Sequence, residues 1–572
     1  MSRPFLRIGY ELSTTMIEDE MTDIGDWCTV TPLGDLLVRG ASLHPERDLI
    51  VFPDARYTYA EVYERAVGIA RGLLAMGVHS GDHVALLAPN GIEFVEGFFG
   101  SALIGSVVVP LNARHKAKEL GYIVENADIT ALLTVSGPDD YVDFVSVLHE
   151  ALPSLANAGN GDLALSEAPR LRRALLLRGE RRPGFGSRED LDTAAVSVDP
   201  SAVHELRRRV SLRDIAAILY TSGTTANPRG CMLSHESMTR GPVERAAGRL
   251  SDGERHVSWA GGPLFHIAAL APLIGAIGAG GTYLTDTFFE PGRAIDLIEA
   301  ERPTCIWPWF PGPMQMLMSH PKFDAGALDS VRYLFLIGPR VLIEEVQGLF
   351  PQAELMAACG MTETTGIYAL STPDETFEDR SGAQGKAAPG IEIRIVDPYD
   401  GSAQPVGVPG EILIRGYCVT TGYYKDPVKT AEAIDSNGWL RTGDLYSWTE
   451  SGCLVFHGRL KDMLKVGGEN VAAIEIESFL CEHPAVLTAA VIGRPDMRLD
   501  EVPVAFVETR EGRELTAEEL IAFCEGKIGR YKVPRAVYFV EPGGWPMSAT
   551  KINKRGLKAQ LTDLANALCT AG

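Results

Sequence analysis

Residues 220–230 read YTSGTTANPRG and follow directly on the apolar run 215–220, IAAILY. Such a run opening into Thr-Ser-Gly-Thr-Thr is a strand feeding a loop that gathers backbone N–H groups and four hydroxyls into a small volume. Gly223 lets backbone approach an anion closely, and Thr221, Ser222, Thr224 and Thr225 offer hydroxyl donors to phosphate oxygens. The string alone reads equally well as a solvated Ser/Thr linker. Arg229 decides between them, a cation five residues beyond Thr224, behind the turn set by Pro228. The pattern GxxxxGK[ST] is absent, and no lysine follows until Lys322, so the usual phosphate-loop cation has to come from elsewhere.

Upstream of the loop, helical and strand patterns alternate. Residues 59–76 carry a 3.6-residue apolar period, 83–87 (HVALL) read as a strand, 106–110 (SVVVP) as another, 117–126 as helix and 131–135 (ALLTV) as strand. Alternation of this kind predicts an α/β fold with parallel sheet and helices on both faces. Residues 154–209 are polar and irregular, read as surface loop with one strand near 173–177. Residues 268–281, with Pro272 and several glycines, read as a buried helix. After Gly390 short alternating strands (IEIRIVD, GEILIRG, GCLVFHG) predict a small β-subdomain, and after Gly458 a compact α+β segment ends in a helix over 555–568.

At 572 residues and 45% hydrophobic content the chain exceeds one core, so two or more domains are expected. A net charge of −22 argues against a nucleic-acid or anionic-lipid surface while leaving room for one local basic pocket. Nine scattered cysteines without CxxC spacing read as reduced thiols of a cytoplasmic protein. The N-terminus lacks a signal-peptide apolar core, and no apolar run reaches membrane-spanning length. No partner is legible beyond a small molecule, with a homodimer as the default oligomer.

YTSGTTANPRG resembles the phosphate-binding signature YTSGTTGxPKG of the adenylate-forming superfamily, which includes acyl-CoA synthetases, with Ala226 for the second glycine and Arg229 for lysine. Arg keeps the charge and adds a planar fork. CGMTETTG (359–366) is similar to the family's YGMTE. The resemblance assigns Thr362 to the α-phosphate and Glu363 to Mg²⁺, and places Cys359 where an aromatic packs on adenine, with Gly360 beside it. WLRTGDL (439–445) matches WxxTGDL and implies that Asp444 accepts from the ribose hydroxyls. GRLKDMLKVGGEN (458–470) is similar to the hinge block. It implies Arg459 at the ribose, Lys461 as hinge, and Lys465, Gly467 and Gly468 facing the second substrate. Residues 334–341, LFLIGPRV, stand where SGGAP is common, placing Ile337 and Gly338 at the adenine and acyl pocket. PLFHIAAL implies His266 at the mouth of that pocket, and WPWFPGP brings Trp309 to its wall.

The missing lysine then appears near the C-terminus. PMSATKINKRGLK (546–558) is similar to the family's closing PxTxSGKIxRxxL, with Lys551 on the catalytic lysine and Thr550 for glycine. Lys554 and Lys558 read as solvated charges on the following helix. The resemblance implies a large domain over 1–458, a hinge at 459–461 and a small mobile domain over 462–572. It also implies the chemistry, in which a carboxylate attacks the α-phosphorus of ATP to give acyl-AMP and pyrophosphate, with Lys551 bridging the developing charge. Coenzyme A then takes the acyl group. Transfer to an amine, or a regulator that binds nucleotide without turnover, are the alternatives. The bulk of Leu336, Ile337 and Pro339 points to an apolar, medium-sized or cyclic acid.

Overall fold

The computed structural model describes residues 30–137, 142–221, 227–251, 255–338, 340–466, 469–496, 498–548 and 551–561, with the backbone alone at 469, 470, 548 and 551. Its contacts divide the chain into two compact units. One comprises Met1–Leu336, Leu349–Tyr368 and Gly416–Glu432, the other Ile337–Gly348, Ala369–Arg415 and Ala433–Gly572.

The first unit holds two sheets of the expected parallel kind. The six-stranded sheet runs in the order Arg173–Arg178, Ile129–Val135, His83–Leu87, Val107–Pro110, Ile215–Thr221, Arg229–Ser234. All its pairings are parallel except the last, where Ile215–Thr221 and Arg229–Ser234 form an antiparallel hairpin with Thr221 opposite Arg229. These two strands flank the stretch 222–226 on either side. The seven-stranded sheet runs Glu354–Met356, Tyr333–Leu336, Cys305–Trp309, Val257–Ala260, Thr282–Leu284, Asp48–Phe52, Ala55–Thr58. Strands such as Val107–Pro110 and Ile129–Val135 are buried at every residue, which is why they read as apolar runs with no alternation.

Local sequence sets the helices. Tyr59–Ala75 starts where Thr58 accepts from the Glu61 amide and the Glu61 carboxylate accepts from the Thr58 amide, a reciprocal cap. The stretch 154–209, expected to be loop, instead contains helices Arg188–Ala195 and Pro200–Arg207, started by Ser187 and Asp199. Each is eight residues long and two turns show too little periodicity to register against polar surroundings. The first packs on Tyr59–Ala75, with Gly72 leaving room for Leu191.

In the second unit, Ile391–Val396, Gly410–Gly416, Leu440–Trp448 and Leu454–Arg459 form a four-stranded sheet. A further sheet is built on the long hairpin of Val486–Asp496 with Asp500–Thr509. One face of the hairpin is covered by Ile476, Leu480 and Leu520, and the other by Leu557 and Leu561. Residues 554–561 are helical, the described part of the helix expected over 555–568. Of the seven described free cysteines, six are buried.

Candidate active site

In the first unit the site is assembled around the paired strand ends at Thr221 and Arg229. Thr221 closes the incoming strand and Arg229 opens the outgoing one. Ser222, Gly223, Thr224 and Thr225 lie outside the described residues. The Arg229 guanidinium carbon sits 5.7 Å from the centre of the Tyr423 ring, a cation over a π face. The Tyr423 hydroxyl donates to Glu363 Oε1 at 3.2 Å. Cys231, wholly buried, lies among Thr221, Arg229 and Glu363, and burial together with the Glu363 charge drives its thiol pKa well up, so it stays a neutral S–H. Tyr423 is likewise held neutral, first by burial and then by Glu363. A guanidinium, a carboxylate and two neutral donors thus converge from segments around 230, 363 and 423.

Glu363 owes its position to a tight turn. Thr362–Thr364 forms a single 3₁₀ turn, ended by Thr365 in the left-handed region at φ 52°. The Thr420 amide donates to the Glu363 carbonyl at 2.7 Å and Thr365 Oγ1 donates to the Cys418 carbonyl at 2.9 Å, strapping 416–420 across it. Gly360 precedes the turn in the strand Ala358–Met361, where a Cβ would stand 2.5 Å from the Gly366 carbonyl oxygen. No side chain fits there. Cys359 beside it is buried.

Among the described residues no group of three or more His, Cys, Asp or Glu could hold a metal by itself. A lone carboxylate fits Mg²⁺, which prefers one carboxylate with phosphate oxygens and water. Glu363 would hold that ion only together with a nucleotide, and the ion would there neutralise phosphate charge.

Next to the acidic turn lies the residue pair expected at the acyl pocket. His266 caps the helix Ile267–Gly278, its Nδ1 accepting from the Ala268 amide at 3.1 Å. Ile267 Cγ1 lies 3.5 Å from where a Gly366 Cβ would be, so the helix start abuts the turn. Trp309 Nε1 donates to the Ala268 carbonyl at 2.7 Å. A tryptophan at φ 62° is a real outlier, and Trp309 lies tilted against the stacked rings of Trp307 and Phe335.

Asn90 lies between the strand His83–Leu87 and the helix Ile92–Leu103. It is buried, its Oδ1 accepting from the Leu264 amide at 2.7 Å and its Nδ2 facing the Gly262 carbonyl at 3.0 Å, which fixes the segment before His266. Tyr423 likewise escaped the sequence reading. Neither belongs to a quotable motif, and only the fold reveals their contacts.

The second unit carries the remaining residues. Asp444 and Arg459 face each other across paired strands, Arg459 Nε 3.1 Å from Asp444 Oδ1. Ile337 and Gly338 follow the strand Tyr333–Leu336 and are half-buried. Lys461 lies in the 3₁₀ turn Leu460–Asp462, and Lys465 in the strand Met463–Val466, its side chain exposed and its amide donating to Glu501. Gly467 and Gly468 lie outside the described residues. Lys551 starts the strand Lys551–Ile552, paired with Met547–Ser548, and its side chain lies outside the described part. Lys554 departs from expectation. It is no solvated charge, since Nζ pairs at 2.6 Å with Glu477 Oε1, a carboxylate only 9% exposed that also accepts the Val491 amide. The helical turn of 554–561 aims position 554 inward, which the sequence pattern did not distinguish from its charged neighbours.

Arg229 over the Tyr423 ring, with the Glu363 carboxylate on the Tyr423 hydroxyl, brings a cation, a donor and an acceptor together. Residues 37–424 match the model of the AMP-binding enzymes and 475–550 that of the AMP-binding enzyme C-terminal domain, and the chain belongs to this family, in its acyl-CoA synthetase type. It is 33% identical to a putative acyl-CoA synthetase, YngI, of Bacillus subtilis, over 93% of this chain and 98% of that one. It is 30% identical to the mitochondrial medium-chain acyl-CoA ligase ACSF2 of Mus musculus, over 93% and 88%. Among solved structures it is similar to the o-succinylbenzoate CoA synthetase MenE of Bacillus subtilis in complex with its acyl-adenylate. There the TM-score is 0.74 at 25% identity, covering 92% and 98%. No helix among the described residues is long and apolar enough to cross a membrane.

Proposed function

We propose that the protein is an AMP-forming carboxylic acid–CoA ligase. ATP and the acid give acyl-AMP and pyrophosphate, and the thiol of coenzyme A then displaces AMP to give the thioester. The observation that carries the reading is the convergence of Arg229, Tyr423 and Glu363. Phosphate charge needs a cation and donors already in place as the carboxylate oxygen attacks phosphorus, since preorganised groups then cost no reorganisation. Arg229 supplies the charge, Thr221 and the stretch 222–226 the donors, and Glu363 the carboxylate for Mg²⁺, with Thr362 at the α-phosphate. Asp444 and Arg459 take the ribose hydroxyls, with Cys359, Gly360 and Gly338 at the adenine.

Lys551 is the cation of the adenylation step, and Lys461 the pivot between the two half-reactions. Lys465, Gly467 and Gly468 serve the thiol step. His266, Trp309 and Ile337 shape the acyl pocket, where the aromatic cluster of Trp307, Trp309 and Phe335 supports an acid with an apolar body. The buried free thiols support a reducing compartment such as the cytoplasm.

Carboxylate-dependent ATP–pyrophosphate exchange tests this, with a panel of acids on the native protein and on Lys551→Ala. Exchange that falls about 100-fold or more in the variant is the expected outcome, and added coenzyme A then yields thioester. Binding of ATP with no exchange for any acid would overturn the assignment.

A further inference from the structure

Trp309 stands at φ 62°, and the Phe310 amide donates to the Pro308 carbonyl across it at 2.7 Å. A bond from residue i+2 back to residue i around a positive φ is a γ-turn of the rare, strained hand. Such a backbone persists only where its surroundings over-determine it, and it clusters at sites where position matters. One hold on Trp309 is the 2.7 Å bond from its Nε1 to the Ala268 carbonyl. The sequence explains why that carbonyl is open to it. Its partner inside the helix Ile267–Gly278 would be the amide of residue 272, and Pro272 has none. The indole N–H takes the place of the missing amide and ties the start of this helix to residue 309.

A second hold acts on the other side of His266. Asn90, 6% exposed, accepts the Leu264 amide on Oδ1 at 2.7 Å, and its Nδ2 donates to the Gly262 carbonyl at 3.0 Å and to Thr285 Oγ1 at 3.1 Å. Asn90 follows a strand of the six-stranded sheet, whereas Gly262 and Thr285 follow strands of the seven-stranded one. This side chain therefore joins the two sheets at the carboxyl ends of their strands, the edge where parallel α/β sheets bind ligands. Between the two holds, His266 Nδ1 accepts the Ala268 amide, and Ile267 packs on Gly366, three residues beyond Glu363.

We infer that Trp309 and Asn90 are positioning residues for the acid. Together they lock residues 262–268 against the turn that carries Glu363, and the locked segment sets which acid reaches the α-phosphorus. The inference rests on the ligase reading above and gives both residues a part in it that acts through the His266 segment.

Pyrophosphate exchange with straight-chain monocarboxylic acids of graded length tests it, on the native protein, W309F, W309F with P272A, and N90A. W309F keeps an aromatic ring and removes the donor. It is expected to raise the KM of the best acid about tenfold or more and to flatten the preference among chain lengths, since a misplaced segment presents the acid poorly. The KM of ATP stays within about twofold, the split that separates the acid side of the site from the nucleotide side. An amide restored at 272 gives the Ala268 carbonyl a partner inside the helix, so the double variant is expected to regain the melting temperature lost in W309F. It does not regain the acid KM, because that bond leaves the helix untied from residue 309. Where W309F does not fold, the double variant against the native protein gives the same comparison. N90A is expected to show the same split, and T285V, which removes an acceptor of Asn90, stands in where N90A does not fold. An acid KM that is unchanged, that rises together with the KM of ATP, or that returns with the melting temperature in the double variant overturns the positioning role and leaves the ligase reading standing. Exchange with no acid in the native protein overturns both.

Discussion

At the scale of single residues, the site depends on side chains whose roles come from their neighbours. Tyr423 bears no family motif, yet its hydroxyl orients Glu363 and its ring lies under Arg229. A hydrogen bond to a charged group contributes about 1.5–3 kcal/mol, and one that persists into the transition state converts to roughly tenfold or more in rate. Tyr423→Phe keeps the ring and removes the donor. It is expected to lower pyrophosphate exchange by about tenfold and to raise the Mg²⁺ concentration needed for half-maximal rate, with the melting temperature little changed. An unchanged magnesium dependence would detach Tyr423 from the carboxylate's function. The same scale shows why Arg229 and Glu363 were legible in the sequence and Tyr423 and Asn90 were not. A signature string names residues that touch ligand, whereas a tyrosine that holds such a residue is recognised only by where it lies.

At the scale of elements, the hairpin of Met547–Ser548 and Lys551–Ile552 is anchored from both ends. Trp545 Nε1 donates to Glu508 at 2.5 Å on the long hairpin, and Lys554 pairs with Glu477. Glu477 also accepts the Val491 amide, so Glu477→Ala orphans a buried amide and the Lys554 ammonium together. Breaking a buried pair from one side costs about 3–5 kcal/mol. Double replacement, Glu477→Leu with Lys554→Met, leaves no unpaired charge and is expected to recover most of the loss in denaturant unfolding. Equal losses in the single and double variants would show that the pair itself contributes little. Lys554 looked like any surface lysine in sequence because Lys554, Arg555 and Lys558 share one helix start, and only the pairing with Glu477 marks the one that points inward.

At the scale of the whole molecule, two buried histidines make stability pH-dependent. His235 accepts the Leu33 amide on Nδ1, and burial lowers its pKa to about 4, while His256 is lowered to about 4 by the same cause. Both folded values lie below the unfolded value of about 6.5, so the unfolded chain binds protons first. Their contribution is therefore complete above pH 6.5 and lost as pH falls toward 4, by about 3 kcal/mol each at most. Chemical denaturation at pH 7.5 and 4.5 reads this out, and His235→Asn, which retains an acceptor, is expected to flatten the decline.

The chain's local order determined a good deal of this molecule. Continuous apolar runs and 3.6-residue apolar spacing specify buried strands and helices because burial is the dominant force on each, and the signature strings survive as strings because each sits on one continuous stretch of backbone. Tertiary structure decided the rest. It paired Ile215–Thr221 with Arg229–Ser234 as antiparallel strands, found two short helices where the polar sequence showed none, and turned Lys554 inward. Each of these depends on contacts between residues far apart in the chain, and the desolvation that gives such contacts their energy is a property of the folded interior that no local pattern carries.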